Sequence, residues 1–240
     1  MISGITKIRA IGDVHGYSDR LIAAAGDADS LLLLGDLVDR GPDSAGVLRL
    51  ALDWMEKGRA FLVRSNHDDK LYRILKGNKI RMTPDLAGTM ESLSNAPDCE
   101  ALKERFIKAY AETPHIQRFG KFVFAHGAVS QYYFRPPEEP LSTTRLRRKI
   151  ESMALYGEVN GDRDELGRPI RRYNWVDKLP EGVTAVVGHD KRDETPFIHT
   201  SENGRRAIFM DTGCGKGGPL SFIDLPSETF GQVSDTATVS

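Results

Sequence analysis

The chain has 240 residues, which suits one large domain or one domain with an inserted subdomain. Its 33 basic and 34 acidic residues leave a formal net charge of -1, which argues against a protein whose whole surface binds nucleic acid or membrane. Two cysteines, Cys99 and Cys214, are too few for a disulfide framework or a four-cysteine zinc site. The N-terminal segment carries no apolar run long enough for a signal peptide, and low cysteine use is compatible with a reducing compartment, so we expect a cytoplasmic protein.

The first seventy residues alternate between apolar strand patterns and helical patterns. The strand patterns cover 5–11, 31–34 and 60–63, and the helices between them begin near Ser18 and at Asp43 or Ser44. Such alternation with short links predicts an α/β sheet with right-handed crossovers. From about 68 to 112 the spacing is helical without an intervening strand, which predicts a helical insertion within a single domain spanning 1–240.

Strand patterns return in the second half of the chain, together with segments that read as loops. The strand patterns cover 116–119, 121–125, 183–187, 205–210 and 220–224, and a helical pattern covers 143–155. A proline-rich loop is expected at 135–140, and a long exposed loop at about 157–175, which is glycine-rich and charged. The polar end at 230–240 is expected to fray.

Polar side chains follow five of the predicted strands at the point where each strand ends. The segments are Gly12-Asp13-Val14-His15-Gly16, Gly35-Asp36-Leu37-Val38-Asp39-Arg40-Gly41, Ser65-Asn66-His67-Asp68, His126-Gly127 and Gly188-His189-Asp190. Because ligands bind α/β sheets in the crevice at the carboxyl ends of the strands, we expect these side chains to share one site.

The residue types at these strand ends are oxygen and imidazole donors without a thiolate. Such donors suit Mn²⁺, Fe or Zn²⁺, and the oxygens also suit Mg²⁺. Asp13 and His15 are two residues apart, so one extended segment can aim both at one ion. Asp36 can bridge two ions through its two oxygens. The remaining donors that can complete a second ion site are Asn66, His126 and His189.

Three further residues suit the chemistry of a phosphoester. Arg40 offers a planar fork that matches phosphate oxygens. His67 can donate a proton to a leaving oxygen, and Asp39 can hold that imidazole in the required tautomer. A purely structural ion pair between Asp39 and Arg40 is the alternative interpretation.

These five segments resemble, in order and content, the motif blocks of the calcineurin-type metallophosphoesterases, and the Asp39-Arg40-Gly41 extension resembles the phosphoprotein phosphatase branch. The resemblance implies a four-layer α/β/β/α sandwich, carrying the helical insertion, and two divalent ions. Mn²⁺ is the expected metal, with Fe, Zn²⁺, Ni²⁺ and Mg²⁺ as alternatives. The resemblance further implies phosphate binding by Arg40 and general-acid action by His67 paired with Asp39. It also implies metal-ligand roles for Asp13, His15, Asp36, Asn66, His126 and His189.

The C-terminal half most resembles the phosphatase module of bacterial polynucleotide kinase-phosphatase. The segments that carry this resemblance are Leu155-Tyr156-Gly157-Glu158, 164–169, Tyr173-Asn174-Trp175 and Asp211-Thr212-Gly213-Cys214. Asp211 is expected to support the metals, although an Asp-Thr-Gly turn is an alternative. Arg172, beside Tyr173 and Trp175, is expected to shape substrate choice, because arginine and aromatic clusters can stack a base. Ser65 and Asp190 depart from the pattern, and no kinase motif accompanies it.

We therefore expect a phosphoesterase that depends on two metal ions and acts by direct attack of a metal-bound hydroxide. Its expected substrates are phosphomonoesters, with 2′,3′-cyclic and nucleic-acid-end phosphates foremost, so nucleotides or RNA and DNA ends are the expected partners. A Ser/Thr protein phosphatase acting on phosphoproteins and a diadenosine tetraphosphatase are the alternatives. A catalytically silent scaffold that recognises phosphate is a minor one. No membrane role is expected, and the oligomeric state is left open.

Overall fold

The computed structural model describes residues 2, 4–134, 144–165, 167 and 169–234. The α-helices are α1 Ser18–Ala25, α2 Ser44–Glu56, α3 Asn66–Leu75, α4 Pro84–Ser94, α5 Cys99–Glu112 and α6 Thr144–Tyr156. The first six strands are β1 Ile8–Ile11, β2 Leu31–Leu33, β3 Ala60–Leu62, β4 Ile116–Phe119, β5 Phe122–Ala125 and β6 Glu158–Arg163. The other strands are β7 Pro169–Arg172, β8 Thr184–Val187, β9 Phe197–Thr200, β10 Arg206–Phe209, β11 Leu220–Leu225 and β12 Thr229–Val233.

The strands form two five-stranded sheets and one separate hairpin. The first sheet has the order β12-β11-β1-β2-β3, and the second has the order β4-β5-β8-β10-β9. In the first sheet β1, β2 and β3 are parallel, and in the second β5, β8 and β10 are parallel. Each sheet therefore presents several carboxyl ends at one edge, as the sequence predicts for the site.

Alternation along the strands divides the core into three layers of side chains. In β2, Leu32 packs between the two sheets, whereas Leu31 and Leu33 pack against the helices of the first sheet. In β5, Phe124 packs between the sheets, whereas Val123 belongs to a third cluster beneath α6. Because successive side chains of a strand point to opposite faces, two sheets with helices outside them bury apolar groups in three layers. The expected four-layer α/β/β/α sandwich is confirmed.

Three helices occupy the segment predicted as a helical insertion. Leu86 of α4 and Phe106 of α5 lie in the same apolar cluster as Leu48 of α2, so these helices extend the helical layer of the first sheet. Arg105 of α5 also forms ion pairs with Asp53 and Glu56 of α2. None of the helices among the described residues has the length and apolar character that crossing a membrane requires.

Three segments differ from the sequence-based expectation. The expected long loop at 157–175 contains the antiparallel pair β6 and β7, which has few apolar residues because both of its faces are largely exposed. Residues 229–233 form β12 against β11 instead of fraying, since Val233 is buried and the backbone is paired. Strand β9 was not predicted, because it is a short edge strand whose apolar residues are exposed. The expected proline-rich loop at 135–140 and the final residues 235–240 lie outside the described part.

Candidate metal centre

The strand ends of both sheets meet at one buried cluster of polar side chains. β1 leads to Asp13 and His15, and β2 leads to Asp36. β3 leads to Asn66 and His67 at the start of α3, and from the second sheet β5 leads to His126 and β8 to His189. The buried members of the cluster are Asp13, His15, Asp36, Asp39, His67 and His126. The predicted motif residues therefore come from five separate strands and lie together.

Asp36 lies at the centre and is shared by two groups of possible metal ligands. Its Oδ2 lies 3.6 Å from Nε2 of His15 and 3.9 Å from Nε2 of His67. Its Oδ1 lies 3.3 Å from Nε2 of His126. His126 and His189 complete the second group, and all ligand atoms within each group lie within 4.8 Å of one another. A carboxylate shared in this way can serve two ions.

Backbone hydrogen bonds aim the imidazole rings into the cluster. Nδ1 of His15 donates to the carbonyl of Val38 at 3.0 Å, and Nδ1 of His126 donates to the carbonyl of Leu34 at 2.8 Å. The tautomer that donates through Nδ1 leaves Nε2 as an acceptor facing the cluster. Nε2 of His126 lies 2.9 Å from Oδ1 of Asn66 and 3.0 Å from Nδ1 of His189. Converging acceptors of this kind require a proton or a cation between them.

The electrostatics of the cluster also favour a cation. Burial and the like charge of Asp211 raise the pKa of Asp13 well above its ordinary value. Burial would raise the pKa of Asp36 too, but His126 and His67 hold it well below its ordinary range. Burial opposes a charge on His126, yet Asp36 and Asp13 raise its pKa to about 9, so a proton there partly offsets the carboxylates. This buried donor set of oxygens and imidazoles therefore fits divalent ions such as Mn²⁺, Fe, Zn²⁺ or Mg²⁺.

The carboxylate of Asp13 contacts the backbone that follows β8. Both of its carboxylate oxygens accept the N–H of His189, at 3.0 and 2.9 Å. This contact is close because residue 188 is glycine: a Cβ there would overlap Oδ1 of Asp13. The structure thus connects the end of β1 to the end of β8, while the metal-ligand role of Asp13 stays a prediction.

Left-handed backbone conformations are concentrated in this cluster. Of the six non-glycine residues with positive φ in the described part of the chain, five belong to the predicted site, and they are His15, Asp36, Asp39, Arg40 and His189. Such conformations cost roughly 1–2 kcal/mol per residue for L-amino acids. Strained residues cluster at functional sites, where the surrounding structure holds them in place.

His67 forms the closest contact of the cluster with Asp39. Nδ1 of His67 donates to Oδ2 of Asp39 at 2.6 Å, and Asp39 is completely buried. Burial alone would raise the pKa of Asp39, but hydrogen bonds from His67 and Thr89 lower it, so the carboxylate stays ionised. Arg40 is exposed, and its guanidinium donates to Nε2 of His15 at 2.8 Å and to Nε2 of His67 at 3.4 Å.

The two supporting residues differ in their surroundings. Asp211 is buried, follows β10, and accepts the N–H of Gly213 in the expected turn. Its charge also raises the pKa of Asp13, so Asp211 both forms the turn and lies near the cluster. Arg172 is exposed on β7, and its role in substrate choice stays a prediction. The neighbouring Arg171 instead faces the cluster, where its Nε lies 3.4 Å from Oδ1 of Asp190.

Two departures from the motif pattern have structural reasons. Ser65 caps α3, accepting the N–H of Asp68, and its own φ of −127° does not require glycine. Asp190 accepts the hydroxyl of Tyr173 at 2.6 Å in addition to pairing with Arg171. Thr89, which contacts Asp39, was not singled out from the sequence, because a threonine inside a helical pattern carries no signal of its own.

A family model described as calcineurin-like phosphoesterase matches residues 6–207. The chain belongs to the calcineurin-like phosphoesterase family. An asymmetrical bis(5'-nucleosyl)-tetraphosphatase PrpE from Bacillus subtilis (strain 168) is 31% identical over 235 residues, covering 90% of this chain and 89% of the relative. A protein of the same name from Geobacillus sp. (strain WCH70) is 29% identical over 238 residues, covering 92% and 91%. Like other members of its family, this chain is a metal-dependent phosphoester hydrolase.

Solved structures support the calcineurin-like phosphoesterase fold. A proposed diadenosine tetraphosphatase has a TM-score of 0.63 at 24% identity, covering 97% of this chain and 95% of that one. A serine/threonine phosphatase from Saccharomyces cerevisiae has a TM-score of 0.58 at 16% identity, covering 92% and 73%. Both show the fold alone. The resemblance to the polynucleotide kinase-phosphatase module stays a prediction.

Proposed function

We propose that this chain hydrolyses nucleotide substrates at a phosphoric anhydride or ester bond, with a dinucleoside tetraphosphate as its preferred substrate, cleaved unequally into a mono- and a triphosphate. Curated relatives named asymmetrical bis(5'-nucleosyl)-tetraphosphatase, matched over about nine-tenths of both chains, support this choice of substrate. It places a substrate first that the sequence alone offers only as an alternative. The observation that carries it is a stack of Tyr173 and Arg192 beside the metal centre.

The stack begins next to a predicted metal ligand. Asp190 directly follows His189 and accepts the hydroxyl of Tyr173. The guanidinium of Arg192 lies 4.2 Å from the ring centre of Tyr173 and 5.3 Å from that of Phe197. Since three residues of chain span at most about 10 Å, Arg192 lies within reach of a nucleoside whose phosphate is at the cluster.

The stack has the chemistry of a base-binding surface. Arg192 and Phe197 are both exposed, so a guanidinium plane and part of an aromatic ring face solvent. Bases stack on aromatic rings and on arginine planes without regard to sequence, at about 1–3 kcal/mol per base. Trp175, which the sequence offers for the same purpose, is only 2% exposed and packs in the core beneath α6.

The residues of the cluster divide the work of the proposed reaction. The six predicted ligands would hold two divalent ions, which would supply positive charge for the phosphate and lower the pKa of a water molecule. Arg40, exposed at the mouth of the cluster, binds the non-bridging oxygens of the phosphate under attack. His67 donates a proton from Nε2 to the leaving oxygen, and Asp39 holds Nδ1 protonated so that Nε2 faces the substrate. The metal is proposed to be Mn²⁺.

A substrate panel tests the proposal. Metal-free protein is refilled with Mn²⁺, Ni²⁺, Zn²⁺ or Mg²⁺ and assayed with 4-nitrophenyl phosphate, bis(4-nitrophenyl) phosphate, nucleoside 2′,3′-cyclic phosphate, diadenosine tetraphosphate and a phosphopeptide. We expect the highest kcat/KM for diadenosine tetraphosphate with Mn²⁺, and AMP and ATP as products. A preference for the cyclic nucleotide would favour nucleic-acid ends, which the same stack can hold. A preference for the phosphopeptide would contradict the proposal and favour a protein phosphatase. No turnover in protein that holds two ions would favour a phosphate-recognition scaffold.

A pair of arginine variants tests the base-binding surface. Arg192→Ala should raise the KM for diadenosine tetraphosphate about tenfold more than the KM for 4-nitrophenyl phosphate, because a lost stack of about 1.4 kcal/mol corresponds to a factor of ten. Arg172→Ala is the matched comparison, since Arg172 is another exposed arginine of the same region. A larger effect of Arg172→Ala would place the base at the β6–β7 hairpin, where the sequence predicts it. Equal KM changes for both substrates in Arg192→Ala would remove the stack from the proposal.

A further inference from the structure

One face of α4 in the helical insertion contacts the loop that follows β2. Asp85 and Thr89 are four residues apart, so they lie one above the other on the same side of the helix. Oδ2 of Asp85 lies 3.9 Å from Nε of Arg40, and Oγ1 of Thr89 lies 2.7 Å from Oδ1 of Asp39. The insertion therefore reaches the two residues that we assign to phosphate binding and to orienting the general acid.

The two contacts are not equivalent. Asp85 is 48% exposed at its side chain, and exposed ion pairs at such a distance contribute little. Thr89 is 1% exposed, and its partner Asp39 is completely buried. Buried polar groups that lose a hydrogen-bond partner are costly, so the contact of Thr89 is the one that can fix a conformation.

The hydroxyl of Thr89 uses all of its hydrogen-bonding capacity. It donates its single proton to Oδ1 of Asp39 and accepts the backbone N–H of the same residue at 3.0 Å. The hydroxyl of Ser44, 3.3 Å away, must then be the donor in their contact, because Thr89 has no second proton. Thr89 thus forms hydrogen bonds with both the backbone N–H and the carboxylate of Asp39.

Asp39 needs such support for two reasons. Its φ of 73° and the φ of 70° at Arg40 place two successive non-glycine residues in the left-handed region. A carboxylate that is held at only one oxygen can also rotate away from its partner. With Oδ1 held by Thr89, Oδ2 stays directed at Nδ1 of His67.

We propose that Thr89 is a positioning residue for the general acid, acting through Asp39 on the orientation of His67. The helical insertion thereby takes part in protonating the leaving group, although Thr89 itself does not contact the substrate. This inference rests on the proposed function, because it assumes that His67 is the acid.

The experiment compares two substrates that differ only in their leaving group. Phenyl phosphate needs a proton on the departing oxygen, whereas 4-nitrophenyl phosphate releases a stable anion. General acids contribute about 10²–10⁴-fold, so disturbing the orientation of one should cost about tenfold or more in kcat. Thr89→Val keeps the shape of the side chain and removes the hydroxyl. We expect it to lower kcat for phenyl phosphate at least about tenfold more than kcat for 4-nitrophenyl phosphate, with KM and metal content unchanged.

Two further variants separate positioning from folding. Thr89→Ser keeps the hydroxyl and should restore the wild-type ratio of the two kcat values. Ser92→Ala removes another hydroxyl of α4, which accepts the N–H of Ala45 away from Asp39, and should leave the ratio unchanged. In the Zn²⁺-loaded protein, which is diamagnetic, nitrogen NMR of the histidine rings should show that Thr89→Val changes the Nδ1 signal of His67 and leaves that of His126 in place.

The outcomes distinguish this inference from the proposed function. If His67→Ala discriminates between the two substrates but Thr89→Val lowers both rates equally, the positioning role is overturned and His67 remains the acid. If Thr89→Ser behaves like Thr89→Val, the hydroxyl is not responsible and the inference is overturned. If His67→Ala itself shows no dependence on the leaving group, the role of His67 as general acid is refuted, and the positioning role of Thr89 is refuted with it.

Discussion

Gly188 allows a steric test of the metal centre that leaves every predicted ligand in the sequence. It directly follows β8, and its φ is not in the left-handed region, so its backbone conformation is open to alanine. An ideal Cβ at this position would be 3.3 Å from Cγ of Asp13 and would overlap Oδ1 outright. To restore an ordinary contact of 3.4 Å, that oxygen must retreat by about 1.3 Å.

A displacement of this size exceeds what a metal site accepts. Ligand distances in metal sites hold to about 0.2 Å, and a misplacement of about 1 Å can cost a hundredfold in rate. We therefore expect Gly188→Ala to lower kcat/KM about a hundredfold and to weaken Mn²⁺ binding. Overpacking of this kind costs about 1–3 kcal/mol of stability, so the protein should remain folded.

Mn²⁺ titration by calorimetry, together with thermal unfolding and the phosphatase assay, checks this prediction. Gly88→Ala is the matched control, because Gly88 lies within α4 and a Cβ there would have no heavy atom within 4 Å beyond its chain neighbours and the backbone of its own helix. It should stabilise the helix by about 0.5–1 kcal/mol and leave metal affinity unchanged. Wild-type metal affinity and activity in Gly188→Ala would refute the assignment of Asp13 as a ligand in the position that the structure shows.

Two further predictions concern buried carboxylates. Asp36→Asn should reduce bound metal, measured by mass spectrometry, from two equivalents to less than one. It should also lower metal affinity more than about a hundredfold, because the loss of a residue that only hydrogen-bonds to a ligand already costs about 10–100-fold. Retention of one tightly bound ion would contradict the shared role of Asp36. Burial, and after it the charge of Asp36, raises the pKa of Asp68 to about 7. In metal-free protein, Asp68 therefore contributes its full stabilisation of the fold below about pH 4, and this contribution is lost as the pH rises through about 7. Urea unfolding at pH 5 and pH 8 should show Asp68→Asn gaining stability relative to wild type by a few kcal/mol between them, since each pKa unit corresponds to about 1.4 kcal/mol; a pH-independent difference would contradict the raised pKa.

The meeting of the site residues is predictable because of the polarity of the strands. Asp13, Asp36 and His189 each follow an apolar segment after one intervening glycine, and parallel strands place their carboxyl ends at one edge. Motif order then gives each residue a role through the resemblance to the family. Neither step requires knowledge of which sheet each strand joins.

Contacts across large sequence separations were not predictable in the same way. Thr89 reaches Asp39 from fifty residues away, and nothing in its local pattern distinguishes it from any other threonine inside a helix. The choice between Arg171 and Arg172 depends on strand register, because neighbouring residues of a strand face opposite sides. The glycine-rich, charged sequence of 157–175 has the pattern of a loop, which carries no register, so it does not show that Arg171 faces Asp190.

The same hydrogen bonds that orient the site also join the two sheets. His126 comes from the second sheet and donates to the carbonyl of Leu34 at the end of β2 in the first. The N–H of His189, again from the second sheet, is held by Asp13 from the first. Because the second group of possible ligands draws on both sheets, a cation bound there would stabilise the packing of one sheet on the other. The left-handed backbone of His189 is therefore held by a contact between the two sheets, while that of Asp39 is held by Thr89 of the helical layer.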